Sequence, residues 1–125
     1  MKIGIDLDET ITEAPAFFAV LTQALRGRAE IHIITAREPG TEAGVTAELH
    51  ALGVHFDVLK ITLDKAGYIA RAGITVFFDD RDEHLCGVPE GVTVFKIRES
   101  SNFCFETGRW RYSPKTGVEA EEWPY

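Results

Sequence analysis

Met1-Lys2-Ile3-Gly4-Ile5-Asp6-Leu7-Asp8-Glu9-Thr10 opens the chain, and its reading decides the fold. An apolar strand over residues 3–7 leaves the core carrying two carboxylates and then a hydroxyl at alternate positions. Residues two apart in an extended chain point the same way. In an α/β protein the carboxyl ends of the strands border the ligand crevice. A second stretch, Phe77-Phe78-Asp79-Asp80-Arg81-Asp82-Glu83, ends a later apolar run in the same manner. Two acidic strand tips in one chain are the main clue to its chemistry.

Outward from that strand, helix and strand patterns alternate. Pro15 suits a first helical turn. Phe17, Phe18, Leu21 and Leu25 recur at helical spacing, and Gly27 stops the helix. Residues 31–35 form a second strand. Residues 40–52 form a second helix with Val45, Leu49 and Leu52 on one side and Gly53 as its stop. Residues 56–61 make strand three. Asp64 caps a short helix that runs to Ala72 and closes at Gly73. Residues 74–78 are a fourth strand, apolar throughout as in a central parallel strand, and residues 92–97 a fifth. This order predicts an α/β fold, a three-layer α/β/α sandwich with a five-stranded parallel sheet. Residues 102–106 and 109–112 flank Thr107-Gly108 and predict a C-terminal β-hairpin. The last dozen residues lack periodicity, and any order there rests on Trp123 and Tyr125.

Composition narrows the function classes. A chain of 125 residues with 45% hydrophobic content is one globular domain, with residues 1–98 as core and 99–125 as hairpin and tail. No apolar run approaches the roughly 20 residues that cross a bilayer. No leader peptide precedes the first strand, so a cytoplasmic location is expected. Cys86 and Cys104 lie far apart in no metal-like spacing and read as buried or idle thiols. The net charge is −7, with Glu119, Glu121 and Glu122 adding to the acidic strand tips. That balance disfavours a grip on long nucleic acid, which needs a basic face.

The acidic tips carry a definite chemistry. Asp6, held at a strand end, can attack a phosphorus atom and form an acyl-phosphate. Asp8 can protonate the leaving oxygen and then deprotonate the attacking water. Ionised together they repel, so a cation is needed, and Mg²⁺ prefers carboxylate and phosphate oxygens. Asp79 and Asp80 repel in the same way; one ligates Mg²⁺ directly and the other acts through water or orients a neighbour. Thr35 closes strand two, where its hydroxyl can donate to a transferring phosphoryl oxygen. Lys65, near the start of the third helix, supplies the positive charge that phosphoryl transfer requires; Lys60, inside a strand, is the competitor. Arg37 offers a guanidinium fork to a phosphate or leaving group. Thr10 and Arg81 are expected beside the substrate as well. Asp82 and Glu83 read as helix-start acids, and His84 as a surface or capping residue rather than a base.

Taken in order, these residues resemble the haloacid dehalogenase-like superfamily of phosphohydrolases. Its first motif, Asp-x-Asp-x-Thr after an apolar strand, is matched by Asp6, Asp8 and Thr10. Its second is a Thr ending the next strand, matched by Thr35; its third a Lys, matched by Lys65; its fourth an acidic pair, matched by Asp79 and Asp80. The resemblance spans residues 1 to about 98. It implies an aspartyl-phosphate intermediate, Mg²⁺ and a Rossmann-like sheet with the first strand central. It also implies that Mg²⁺ takes the side chain of Asp6, the main-chain oxygen of Asp8 and an acid of the fourth motif. Many members carry Gly where this chain has Glu9. Asp6-Leu7-Asp8-Glu9-Thr10 is similar to the branch that dephosphorylates polymerase tails. Asp79-Asp80-Arg81 is similar to small nucleotidases and polynucleotide-end phosphatases.

The spacing between motifs adds that no lid domain fits. One helix and one strand fill each of the gaps Asp8–Thr35 and Thr35–Lys65. The expected function is a Mg²⁺-dependent phosphomonoester hydrolase acting on a nucleotide or other small phosphorylated metabolite. The alternatives are a phosphorylated macromolecule in the open cleft, and a phosphoacceptor or binding domain without turnover. Receiver domains place their acceptor Asp after strand three, where this chain has Lys60-Ile61-Thr62.

Overall fold

A computed structural model of the chain describes residues 1–111. Five parallel strands, β1 (Lys2–Ile5), β2 (Glu30–Thr35), β3 (Val58–Ile61), β4 (Val76–Asp79) and β5 (Thr93–Lys96), form one sheet. Their order is β3-β2-β1-β4-β5, so β1 is central. Helices α1 (Pro15–Leu25), α2 (Glu42–Ala51), α3 (Lys65–Ala72) and α4 (Asp82–Leu85) connect them. The chain moves outward from β1 through β2 to β3, then returns to the other side of β1 for β4. The turning point of the topology therefore lies between β1 and β4, where α/β sheets open a crevice at their carboxyl ends.

Side-chain alternation along the strands builds a core on each face. Ile3, Ile5, Ile31 and Ile33 pack with Phe18 of α1 and with Val45 and Leu49 of α2. Ile34 and Phe77 face the other way, against Ile69 of α3 and Leu85 of α4. Gly4 permits the tight spacing on that second face. A Cβ there would meet Ile34 Cδ1 at 2.9 Å and Phe77 Cδ1 at 3.1 Å.

Local signals set α3. The Asp64 carboxylate accepts from Gly67 N–H at its start, and Gly73 ends it in the left-handed region at φ 75°. Elsewhere the expected boundaries shift. Strand one ends at Ile5 rather than Leu7, because residues 7–11 close a turn through Thr12 N–H to Leu7 O at 3.1 Å. The other strands are shorter at their starts or ends than periodicity suggested, apart from β2, which begins at Glu30, and β4, which runs on to Asp79. Phe17 is expected inward but is 54% exposed. The inward face of α1 carries the buried Phe18 and Thr22, with Leu21 and Leu25 packed against the same core as expected; the Thr22 hydroxyl donates to Phe18 O and accepts from His55 N–H.

The hairpin forms with a different register. β6 (Phe103–Cys104) pairs antiparallel with β7 (Arg109–Trp110), Cys104 opposite Arg109. Residues 105–108 therefore make the loop, not Thr107-Gly108 alone, and Phe105 lies outside the ladder at 61% exposure. Aromatic packing fixes this register: the Phe103 ring meets Phe105 and Trp110 edge-on at 5.0 and 5.2 Å. Tyr112, Glu119, Glu121, Glu122, Trp123 and Tyr125 lie outside the described residues. Among the described residues, no helix is long and apolar enough to cross a membrane.

Candidate functional site

β1 delivers Asp6 to the crevice, and Asp6 N–H donates to Phe78 O at 2.9 Å, which pins the carboxylate beside β4. β4 ends in Asp79 and turns at Asp80. One oxygen from each of Asp6, Asp79 and Asp80 lies within 4.8 Å of the others, and all three residues are buried. Lys65 reaches them from the first turn of α3. Its Nζ donates to Asp6 Oδ1 at 2.7 Å and to Asp79 Oδ2 at 2.9 Å. Lys60 instead lies over the Tyr68 ring, 5.5 Å from its centre, so the competition between the two lysines goes to Lys65.

The electrostatics follow from one buried cation, Lys65, facing three buried acids, with Arg81 at their edge. Burial opposes the Lys65 charge, but the fields and hydrogen bonds of Asp6 and Asp79 outweigh it and raise its proton affinity. Burial lifts Asp6 above the ordinary carboxylate value; Lys65 pulls it down and Asp79 pushes it up again. Burial and the adjoining Asp6 and Asp79 push Asp80 up to about 8. The Asp79 oxygens are both used, Oδ2 by Lys65 and Oδ1 by Arg81 N–H at 2.9 Å. Asp80 Oδ2 is buried with no hydrogen-bond partner. A buried carboxylate oxygen without a donor is costly unless a cation faces it.

Asp6 and Asp8 line the same cavity, of about 340 Å³, with Arg37, Lys65, Asp80 and Arg81. The turn over residues 7–11 achieves this, rather than strand alternation. Glu9 adopts the left-handed region at φ 60°, the only residue other than glycine among those described to do so. A glycine would take that conformation at no steric cost. Asp8 swings outward, with its side chain 53% exposed. Arg37 Nε donates to Asp8 Oδ2 at 3.1 Å and Nη2 to Asp8 Oδ1 at 2.7 Å. These bonds hold the Asp8 carboxyl below its ordinary value. Arg37 also forks onto Glu48 of α2, Nη1 to Oε2 at 2.5 Å and Nη2 to Oε1 at 3.1 Å.

Two threonines take distinct places. Thr10 is expected at the substrate, but it is fully buried, and its hydroxyl donates to Asp6 Oδ2 at 3.0 Å with Asp80 Oδ1 at 3.5 Å. It orients the carboxylates from beneath. Thr35 is fully buried at the end of β2, and its Oγ1 has no partner. Arg81 lines the cavity with its guanidinium on Glu83 at 3.3 Å.

Two functional contributors are missing from the motif reading. Glu48 anchors Arg37, and nothing in a helical Glu signals a partner eleven residues back. Asn102 ties the hairpin to the acidic loop: its Nδ2 donates to Asp80 O at 2.8 Å and Ile97 O at 2.7 Å. Its Oδ1 accepts from Glu99 N–H at 2.9 Å. No family model, no curated protein and no solved structure matches this chain.

Proposed function

We propose that this protein is a Mg²⁺-dependent phosphomonoester hydrolase working through an aspartyl-phosphate on Asp6. The observation that carries the reading is the buried triad Asp6, Asp79 and Asp80, which the buried Lys65 compensates only in part, with Asp80 Oδ2 left unpartnered. Three hard oxygen donors that close together suit a small divalent cation. Asp6, Asp80 and the main-chain oxygen of Asp8 would hold it, with Asp79 locked between Lys65 and Arg81 N–H as the orienting acid. When bound, the ion supplies positive charge to the phosphoryl oxygens and lowers the repulsion between a dianionic substrate and the acids.

The chain's own groups divide the remaining work. A carboxylate oxygen of Asp6 attacks phosphorus; the P–O bond to the leaving group breaks, and Asp8 gives that oxygen a proton. Asp8 then takes a proton from water, whose oxygen attacks phosphorus and frees Asp6 and inorganic phosphate. Lys65 holds Asp6 in line, and the unpaired Thr35 hydroxyl is a donor for a phosphoryl oxygen. In the arrangement described, Arg37 occupies both Asp8 oxygens, so Asp8 acts on the leaving group only after Arg37 turns to the substrate.

The test is phosphate release from phenyl phosphate with Mg²⁺ or with a chelator. We expect Mg²⁺-dependent release by the parent protein and a loss of about 10⁴-fold or more in Asp6→Asn, whose far-ultraviolet spectrum stays unchanged. Equal rates in the two proteins would remove Asp6 as nucleophile.

A further inference from the structure

A second groove, of about 560 Å³, runs between the loop after β2 and α2 and shares Ala36 and Arg37 with the catalytic cavity. Its floor is small and apolar: Ala36, Gly44 and the buried Val45. Its rim carries Glu38 and Glu48. A Cβ built on Gly44 meets no atom within 4 Å, so open space stands above that helix position. We propose that this groove is the leaving-group subsite, and that it selects monoesters of an uncharged, ring-bearing, hydroxyl-rich alcohol of nucleoside size. The proposal rests on the phosphatase reading above and names the substrate class that it leaves open.

Three observations converge on that class. The first is continuity: a phosphoryl group at Asp6 has its leaving oxygen near Asp8, and Asp8 is joined through Arg37 to Glu48 on the groove wall. The second is charge. The linings of cavity and groove together hold seven carboxylates against three cations, Arg37, Lys65 and Arg81. Even a bound dication leaves no surplus positive charge beyond what the reacting phosphoryl group needs. A leaving group with its own carboxylate or phosphate meets repulsion in the groove. Hydroxyl and amino groups instead find acceptors in Glu38 and Glu48. The third is shape. The floor of Ala36, Gly44 and Val45 carries no polar group and no bulk, which leaves open room over an apolar base for a ring.

The experiment compares kcat/KM with Mg²⁺ for phenyl phosphate, adenosine monophosphate and 3-phosphoglycerate, in the parent protein, Gly44→Leu and Glu38→Lys. In the parent we expect adenosine monophosphate to exceed 3-phosphoglycerate at least tenfold. Gly44→Leu lowers the ratio of adenosine monophosphate to phenyl phosphate at least tenfold. Glu38→Lys narrows the discrimination against 3-phosphoglycerate at least threefold. Gly44→Ala serves as the folding control, and a rise in its Tm shows that α2 accepts a side chain there. Turnover of phenyl phosphate with no discrimination in the parent, or with a ratio that Gly44→Leu leaves alone, overturns the subsite and spares the phosphatase reading. Failure to release phosphate from any of the three overturns both.

Discussion

Lys65 is 2% exposed and places its charge between two carboxylates, so its value is electrostatic and local. Replacing it with Met keeps the aliphatic bulk and strands Asp6 and Asp79 without their counter-ion. Removing one partner of a buried ion pair costs about 3–5 kcal/mol. We expect Lys65→Met to lose stability on that scale in urea melts with chelator, and to recover part of it in Mg²⁺. A loss below about 1 kcal/mol would show that the acids are already neutral. Glu9 supplies a second residue-scale case. Its φ of 60° costs an L-residue on the order of 1 kcal/mol, most for a β-branched one. Glu9→Gly should therefore be neutral or stabilising within about 1 kcal/mol, and Glu9→Val destabilising by more than that. Equal melts for the two variants would contradict a strained turn.

At the scale of elements, Asn102 hydrogen-bonds the segment that opens the hairpin to the acidic loop, beside the packing of Trp110 under Lys96. Asn102 donates to the carbonyls of Asp80 and Ile97 and accepts from Glu99 N–H. The buried Glu99 carboxylate in turn accepts from the Ser101 N–H and hydroxyl. This polar knot holds the loop that carries Asp80. Leaving two part-buried carbonyls without donors costs about 1–3 kcal/mol. Asn102→Ala should show that loss by thermal melting, with a raised Mg²⁺ requirement for phosphate release; an unchanged Mg²⁺ dependence would confine Asn102 to folding. Elements differ in how legible they are. α3 was readable because Asp64, Gly73 and the spacing between them act within the helix itself. The hairpin register was not, because Thr107-Gly108 resembles a two-residue turn, while the contacts of Phe103 with Phe105 and Trp110 choose a four-residue loop.

For the whole molecule, the order β3-β2-β1-β4-β5 brings the two acidic tips together at the turning point of the topology. The cost of that convergence is pH-dependent. Asp80 keeps its proton in the folded protein up to about 8, against an ordinary value of 3.8, and Asp6 is raised as well. Between those limits the folded chain binds more protons than the unfolded one. Its stability is therefore full below the ordinary carboxylate value and declines as pH rises through about 8. With chelator, we expect the Tm to fall from pH 5 to pH 8, with Mg²⁺ restoring more at pH 8 than at pH 5. A Tm that climbs across this range in chelator would mean that the acids are held ionised by protein groups alone.

The sequence by itself determined the element order, the parallel α/β class and the identity of the clustered acids, because strand alternation, caps and strand-end carboxylates are written in neighbouring residues. Only the tertiary structure decided that Lys65, the lysine the sequence favoured, bonds both Asp6 and Asp79, that Thr10 lies beneath the carboxylates, and that Arg37 bridges Asp8 to Glu48. Those choices depend on distances between residues remote in the chain, and such distances exist only once the sheet has set which strands are neighbours.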